Sequence, residues 1–415
     1  MKKLESRLTS FGQRSGSGSP VNRKVSARYP YNGRALCLPA ASTLTVAFSV
    51  GSAWYLADKI CSEALKPKPG SDIPDYNDVQ VVGLSPGQIQ LRSIGKQPAL
   101  LKPELYGIAW DGGRGRLAAS ATVSSGVVTR PLTVTFGSAP KIGQSAGLDS
   151  SYFLDDPEAE LGIIVQKVMV LRSDERSLHA WYFPGRSSTF VIGVHGQNGT
   201  RKDVLRVIDI VHDLGFPALA VTYRNDLGAP PDPSGYLRYG QTEWPDIEAA
   251  VGWSLAHGAR RVVLVGQSMG GGIVAAFLQH SPLAARVTRV ILDAPMLDLH
   301  ATVDYQADQY RLPVIGRIPS PLIWMAERIA SARFGVDWSA TSYLNDTTWL
   351  KVPALVTHGG DDPRVPISIS MKLKELHASL VTFERFPGAG HLESWNIDRA
   401  GYTSLVKSFL DPVAL

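Results

Sequence analysis

Cysteine is nearly absent from this 415-residue chain: there are two, Cys37 and Cys61, and none beyond position 61. Any globular part after that point has no internal disulfide, so a disulfide scaffold is excluded. There is no glycine period and no sustained heptad, which excludes a collagen and a coiled coil. Charged residues make up only 19%, but hydrophobic residues reach 44% with nine tryptophans, so the chain as a whole is not disordered. Positive charge is scarce outside one segment. The first 34 residues hold eight of the 42 basic residues and one of the 37 acidic ones, so the net +5 belongs to this tail. The remainder offers no basic field, and no nucleic-acid partner is expected. Residues at metal-ligand spacing are missing too, and neither a metal nor a cofactor is expected. At roughly 100–200 residues per domain, the length suggests two or three domains, or one large domain with extensions.

Charge disappears altogether between Arg34 and Asp58. A helix over residues 35–57 would be about 34 Å long, enough for a bilayer core of about 30 Å. Trp54 and Tyr55 lie near one end, where amphipathic rings favour the interface. The bases upstream orient such a span with the N-terminus inside. The expectation is a basic cytosolic tail over 1–34, a transmembrane signal anchor over 35–57, and export of everything that follows. Three other readings compete. A cleaved signal peptide is disfavoured by the length of the run and the lack of an A-x-A site. A transit peptide is disfavoured by the Gly/Ser/Pro stretch Ser15–Pro20, and a buried core helix is the plain alternative.

Residues 58–160 read as a linker followed by a β-rich extension. Lys66-Pro67-Lys68-Pro69-Gly70 is extended, and from Asp78 to Phe136 short runs alternate with period two between Gly and Pro. No chemistry-bearing cluster is visible there, and its isolated aspartates and lysines read as solvated surface. From 161 to 415 the pattern changes. Continuous Val/Ile/Leu runs such as TFVIGV, RVVLVG and VPALVT alternate with helical segments. That is the pattern of an α/β protein with a mostly parallel sheet covered on both faces. Active groups in such sheets sit outside the C-terminal strand ends.

Gly266-Gln267-Ser268-Met269-Gly270 is a G-x-S-x-G sequence. Alone it is weak; about 0.3 chance matches are expected at this glycine content. Here a strand-like run enters it and an apolar helix leaves it, the context of a nucleophile elbow. A serine hydroxyl needs a base, and the base an orienting acid, in the chain order Ser, Asp, His. Asp362 stands in His358-Gly359-Gly360-Asp361-Asp362-Pro363-Arg364-Val365-Pro366, and His391 in Gly388-Ala389-Gly390-His391, each after a strand-like run.

With these motifs and the His195-Gly196-Gln197-Asn198-Gly199 loop, the stretch from about 161 to 412 resembles an α/β-hydrolase, over about 60% of the chain. The ending His391-Leu392-Glu393-Ser394-Trp395-Asn396 is most similar to the serine-aminopeptidase branch, often seen as single-pass membrane hydrolases. The resemblance implies that Ser268 attacks an acyl carbonyl, that His391 is the general base and acid, and that Asp362 orients the imidazole. It also implies that backbone N–H groups of Met269 and Gln197 hold the oxyanion, with Asn198 as a replacement for Gln197. Each such donor is typically worth about 2.7–4 kcal/mol. Asp361 and Asp293 are rival acids. His195 and His358 each head a His-Gly turn and read as loop-framing residues.

A helical lid insertion is expected over about 296–350. Its apolar stretch Leu322-Ile323-Trp324-Met325 offers Trp324 and Met325 as lining for an acyl site, with ordinary helix packing as the equal alternative. No acidic cage for a substrate amine is present, so small-molecule, lipid and peptide acyl substrates stay open. The expected function is a membrane-anchored serine hydrolase acting on an ester or amide. The alternatives are a serine peptidase or thioesterase of the same fold, and a catalytically silent hydrolase fold serving as a binding module. Cofactor-free peroxidation or dehalogenation is a further reading; Ser268 disfavours dehalogenation, which uses an aspartate there.

Overall fold

The computed structural model describes residues 40–68, 76–95, 98–154, 156–310 and 316–411. The basic tail 1–34, the start of the apolar run (35–39), most of the expected linker (69–75) and residues 311–315 of the insertion lie outside them. The chain divides into two compact units, 1–47 and 48–415. Helix α1 (Ala40–Ile60) begins inside the expected anchor. Among the described residues no helix is long and apolar enough to cross a membrane. The last turns of α1 pack within the second unit. Ala53 and Ala57 are fully buried, the Arg333 guanidinium lies 4.2 Å from the Trp54 ring centre, and Arg333 pairs with Asp58 at 2.8 Å. A π-helical turn, Cys61–Leu65, follows and buries Leu65.

Seven antiparallel strands come next: β1 (Val79–Ser85), β2 (Gln88–Ser93), β3 (Tyr106–Trp110), β4 (Gly113–Leu117), β5 (Thr122–Ser124), β6 (Val127–Gly137) and β7 (Ser145–Asp149). Their order is β2-β1-β7-β3-β4-β6-β5, and β2 also pairs with β6. Six strands therefore close into a small barrel, which removes the exposed edges of an open sheet. Period-two alternation fills it: Val79, Val81, Ile89 and Leu91 point inward with Ile108, Trp110, Leu117 and Val128. β7 lies within the expected extension but beyond Phe136, where the alternating runs stop. Its sequence SAGLD has none of the β-branched or aromatic residues that mark a strand.

The second sheet has eight strands: β8 (Gln166–Leu171), β9 (Ser177–Phe183), β10 (Thr189–Val194), β11 (Ala218–Val221), β12 (Arg261–Gln267), β13 (Val287–Asp293), β14 (Ala354–Gly359) and β15 (Val381–Phe386). Their order is β15-β14-β13-β12-β10-β11-β9-β8. β8, β9 and β11 pair antiparallel and the remaining neighbours are parallel. Alternate residues of the central strands enter different cores. Val262 and Leu264 of β12 face one cluster, and Val263 and Val265 the other. Short α2 (Pro157–Leu161) leads into this sheet. Helices α4 (Trp244–Ala256) and α5 (Met269–His280) cover the first face, and α3 (Leu205–Asp213) the second. The insertion between β13 and β14 holds α6 (Leu299–Gln309) and α7 (Ser320–Phe334). After β14, α8 (Ser368–Leu376) joins the first face, and α9 (Ser394–Ile397) and α10 (Arg399–Phe409) join the second.

Candidate active site

Ser268 sits in the one-residue turn between β12 and α5, with φ 51° and ψ −119°. That left-handed backbone is costly for a side-chain-bearing residue, typically about 1–3 kcal/mol. The surroundings hold it: the Ser268 N–H donates to Asp293 O at 2.9 Å, and Ser268 O accepts from Gly271 and Met296 N–H, each at 2.9 Å. The glycines are needed for space. A Cβ on Gly270 would run into the carbonyl oxygens of Val194 and His195, and one on Gly266 into the backbone of Gly270 and Gly271.

The turns after β14 and β15 bring the other two predicted residues to this serine. His391 Nε2 lies 2.9 Å from Ser268 Oγ, and His391 Nδ1 lies 2.7 Å from Asp362 Oδ2. Asp362 Oδ1 accepts the N–H groups of Arg364 and Val365 at 2.7 and 2.9 Å. Burial alone would raise the Asp362 pKa, but His358 and His391, with the Val365 N–H, hold it well below the usual carboxylate range. Of the rival acids, Asp361 is exposed on the cavity wall. Asp293 is fully buried and accepts a hydrogen bond from Thr357; burial pushes its pKa up, toward the neutral acid. Neither takes the place of Asp362 at Nδ1.

Met269 opens α5, where the first N–H groups have no intrahelical acceptor. The 195–199 loop passes the serine so closely that a Cβ on Gly196 would lie 3.0 Å from Ser268 Cβ. His195 is fully buried beneath this loop. Its ring contacts Gly196 O and Asp226, each at 2.9 Å, and stacks on Tyr223. His358 is also fully buried, between Ser370 and Val365 O. Both frame loops, as their His-Gly turns suggest. The segment after α1 is stitched to the same loop. The Gln197 amide donates to Glu63 O and Ala64 O at 2.8 and 3.0 Å, and Lys68 N–H donates to Asn198 Oδ1 at 2.7 Å.

A cavity of about 1020 Å³ opens above Ser268 and His391. Trp324 and Met325 do not line it, which corrects the expectation drawn from the insertion. α7 turns Ile323, Ala326, Ala330 and Phe334 inward and leaves Trp324 on its outer side, 57% exposed with Arg328 over the ring. The insertion contributes Gln306, Gln309 and Tyr310 instead. Three wall residues come from before residue 161: Lys102, Ser150 and Ser151. Glu63, in the π-helical turn, is a fourth. The reading of the extension's lysines as solvated surface therefore fails at Lys102. Sequence reasoning missed all four because their neighbours carry no motif. The fold also gathers His300, Asp304 and Glu327, which sequence spacing did not associate. The two nitrogens of His300 face opposite carboxylates, Glu327 at 2.6 Å and Asp304 at 3.6 Å, so the ring bridges α6 and α7.

The sequence profile of the alpha/beta hydrolase family matches residues 191–403. An uncharacterized protein of Mycobacterium tuberculosis, found in two strains, is 27% identical over 256 residues, which cover 60% of this chain and 80% of that protein. Among solved structures, an esterase of Pyrococcus furiosus is similar with a TM-score of 0.49 at 20% identity, covering 62% of this chain and 96% of that one. An alpha/beta hydrolase from a Penicillium species is similar with a TM-score of 0.45 at 19% identity, covering 60% and 97%.

Proposed function

The chain belongs to the alpha/beta hydrolase family, and on that premise we propose that it is a serine hydrolase cleaving a carboxylic ester or amide through an acyl-enzyme. The observation that carries the reading is the continuous contact from Asp362 through His391 to the Ser268 hydroxyl, at 2.7 and 2.9 Å. Ser268 Oγ attacks the acyl carbon, and its proton passes to His391 Nε2. Asp362 keeps the Nδ1 proton in place and stabilises the imidazolium. The N–H groups of Met269 and Gln197 receive the carbonyl oxygen as it becomes an oxyanion. The Nε2 proton then goes to the leaving alkoxide or amine. Water, deprotonated by the same nitrogen, releases the acid and restores the serine.

The cavity wall mixes charged groups, Lys102, Arg206, Asp203, Arg364 and Glu393, with Met296, Tyr310, Pro363 and Leu392, so a substrate with both polar and apolar parts fits it. Membrane attachment with the catalytic unit outside the cytosol is part of the proposal. It is supported by the basic tail ahead of the uncharged run.

A fluorophosphonate probe tests the chemistry. It should label the wild type and not Ser268→Ala; labelling retained in the variant would remove Ser268 from the role. A reporter fused after Leu415 should be found outside the cytosol, and a cytosolic signal would overturn the orientation.

A further inference from the structure

The barrel has no role in the chemistry described so far, yet residues 102–106 lie against the turn that carries His391. Glu393 closes that turn by accepting the Gly390 N–H at 2.9 Å. Its remaining bonds come from the barrel side. Lys102 Nζ donates to Glu393 Oε2 at 2.8 Å, and the Tyr106 hydroxyl lies 2.9 Å from Glu393 Oε1. The backbone is pinned as well. Asn396 Nδ2 donates to Leu105 O at 2.7 Å and Ser150 O at 2.8 Å, and Leu105 N–H donates to Asn396 O at 3.1 Å.

The Tyr106 hydroxyl is also 2.9 Å from Glu104 Oε2. A hydroxyl carries one proton, so it can donate to only one of these two carboxyl groups. The second contact needs a proton from a carboxyl, and Glu104, fully buried, is the group least able to hold a charge.

We propose that the barrel holds the catalytic histidine turn in place, with Lys102, Tyr106 and Glu104 as positioning residues that act on His391 through Glu393. Glu104 takes part as the carboxylic acid. Its O–H donates to Tyr106 Oη, and the Tyr106 O–H donates to the Glu393 carboxylate. Burial and then the Glu393 charge push Glu104 up to about 7, against the Tyr106 hydrogen bond and the Lys102 charge. Arg130 of β6 also faces this group and donates to Glu104 O. Above that range Glu104 loses its proton, two carboxylates compete for one hydroxyl, and the turn loosens.

The inference rests on reading His391 as the base, so the assay includes Ser268→Ala. Full-length Tyr106→Phe, Glu104→Leu and Glu104→Gln are compared with wild type in short-acyl p-nitrophenyl ester turnover from pH 5 to 9. Fluorophosphonate labelling rates and melting temperatures are read in parallel. Tyr106→Phe and Glu104→Leu should lower kcat and labelling about tenfold with KM little changed, part of the roughly 100-fold that a full 1 Å misplacement of a reacting group costs. Wild-type kcat should decline above about pH 7, and Glu104→Gln, whose amide keeps a donor toward Tyr106, should restore kcat and lose that decline. Wild-type kcat in folded Tyr106→Phe overturns the proposal. So does a decline above pH 7 that persists in Glu104→Gln, which decides the matter if the other variants do not fold. Turnover surviving in Ser268→Ala would instead remove the underlying functional reading.

Discussion

At Gly270 the backbone of α5 lies against the carbonyls of Val194 and His195, with no room for a Cβ. Gly270→Ala should therefore displace the elbow rather than add harmless bulk. We expect a loss of at least about 100-fold in kcat, since a small misplacement of a reacting group costs on that order. Steady-state turnover alongside a folded circular-dichroism spectrum checks this. Asp362→Asn keeps the shape but lets the imidazole take the wrong tautomer, and kcat should fall about 10⁴-fold with KM little altered. Retained turnover would shift the orienting role to another acid. The residues behind both predictions were legible as motifs because each answers a local demand: glycine where a backbone approaches, a carboxylate and an imidazole at strand ends. The wall residues were not. Lys102 meets Glu393 across 291 positions, and nothing beside Lys102 in the chain signals that contact.

Among the elements, α6 and α7 are joined by His300 lying between Glu327 and Asp304. Partial burial works against a charge on this ring, but the hydrogen bond to Glu327 and the carboxylate charges outweigh it and raise its pKa. A raised histidine pKa gives stability that is complete below the unfolded value near 6.5 and is lost as pH climbs through the folded value. The melting-temperature advantage of wild type over His300→Gln should then shrink between pH 6 and pH 9. A constant difference would mean that the bridge does not depend on the proton. α1 and its π-helical turn are another case. Leu65 is buried, and the carbonyls of Glu63 and Ala64 hold Gln197. A chain beginning at residue 69 should turn over ester more slowly than one beginning at residue 48, because the loop proposed to hold the oxyanion loses its brace. Equal kcat in the two chains would make this contact incidental. The helix itself was expected from its apolar composition. The burial of its last turns within the second unit was not, since an uncharged run fits a bilayer and a protein core alike.

For the molecule as a whole, the barrel and the eight-stranded sheet belong to one compact unit. Arg116 pairs with Glu160, and Tyr152 and Phe153 pack on Trp395. Residues 48–415 should melt in a single calorimetric transition, and a fragment starting at 161 should be less stable than the whole. Two separated transitions would show that the barrel folds independently. The sequence by itself determined the sheet, the elbow and the three residues that meet there, because those features are written in short strand–turn patterns whose backbone geometry restricts which residues fit. Only the tertiary structure decided that the chain before 161 walls the cavity, that the insertion presents Gln306, Gln309 and Tyr310 in place of Trp324 and Met325, and that Glu104 is buried beside the histidine turn. Those outcomes depend on how distant surfaces pack, and a surface lysine and a wall lysine look the same until the surfaces are brought together.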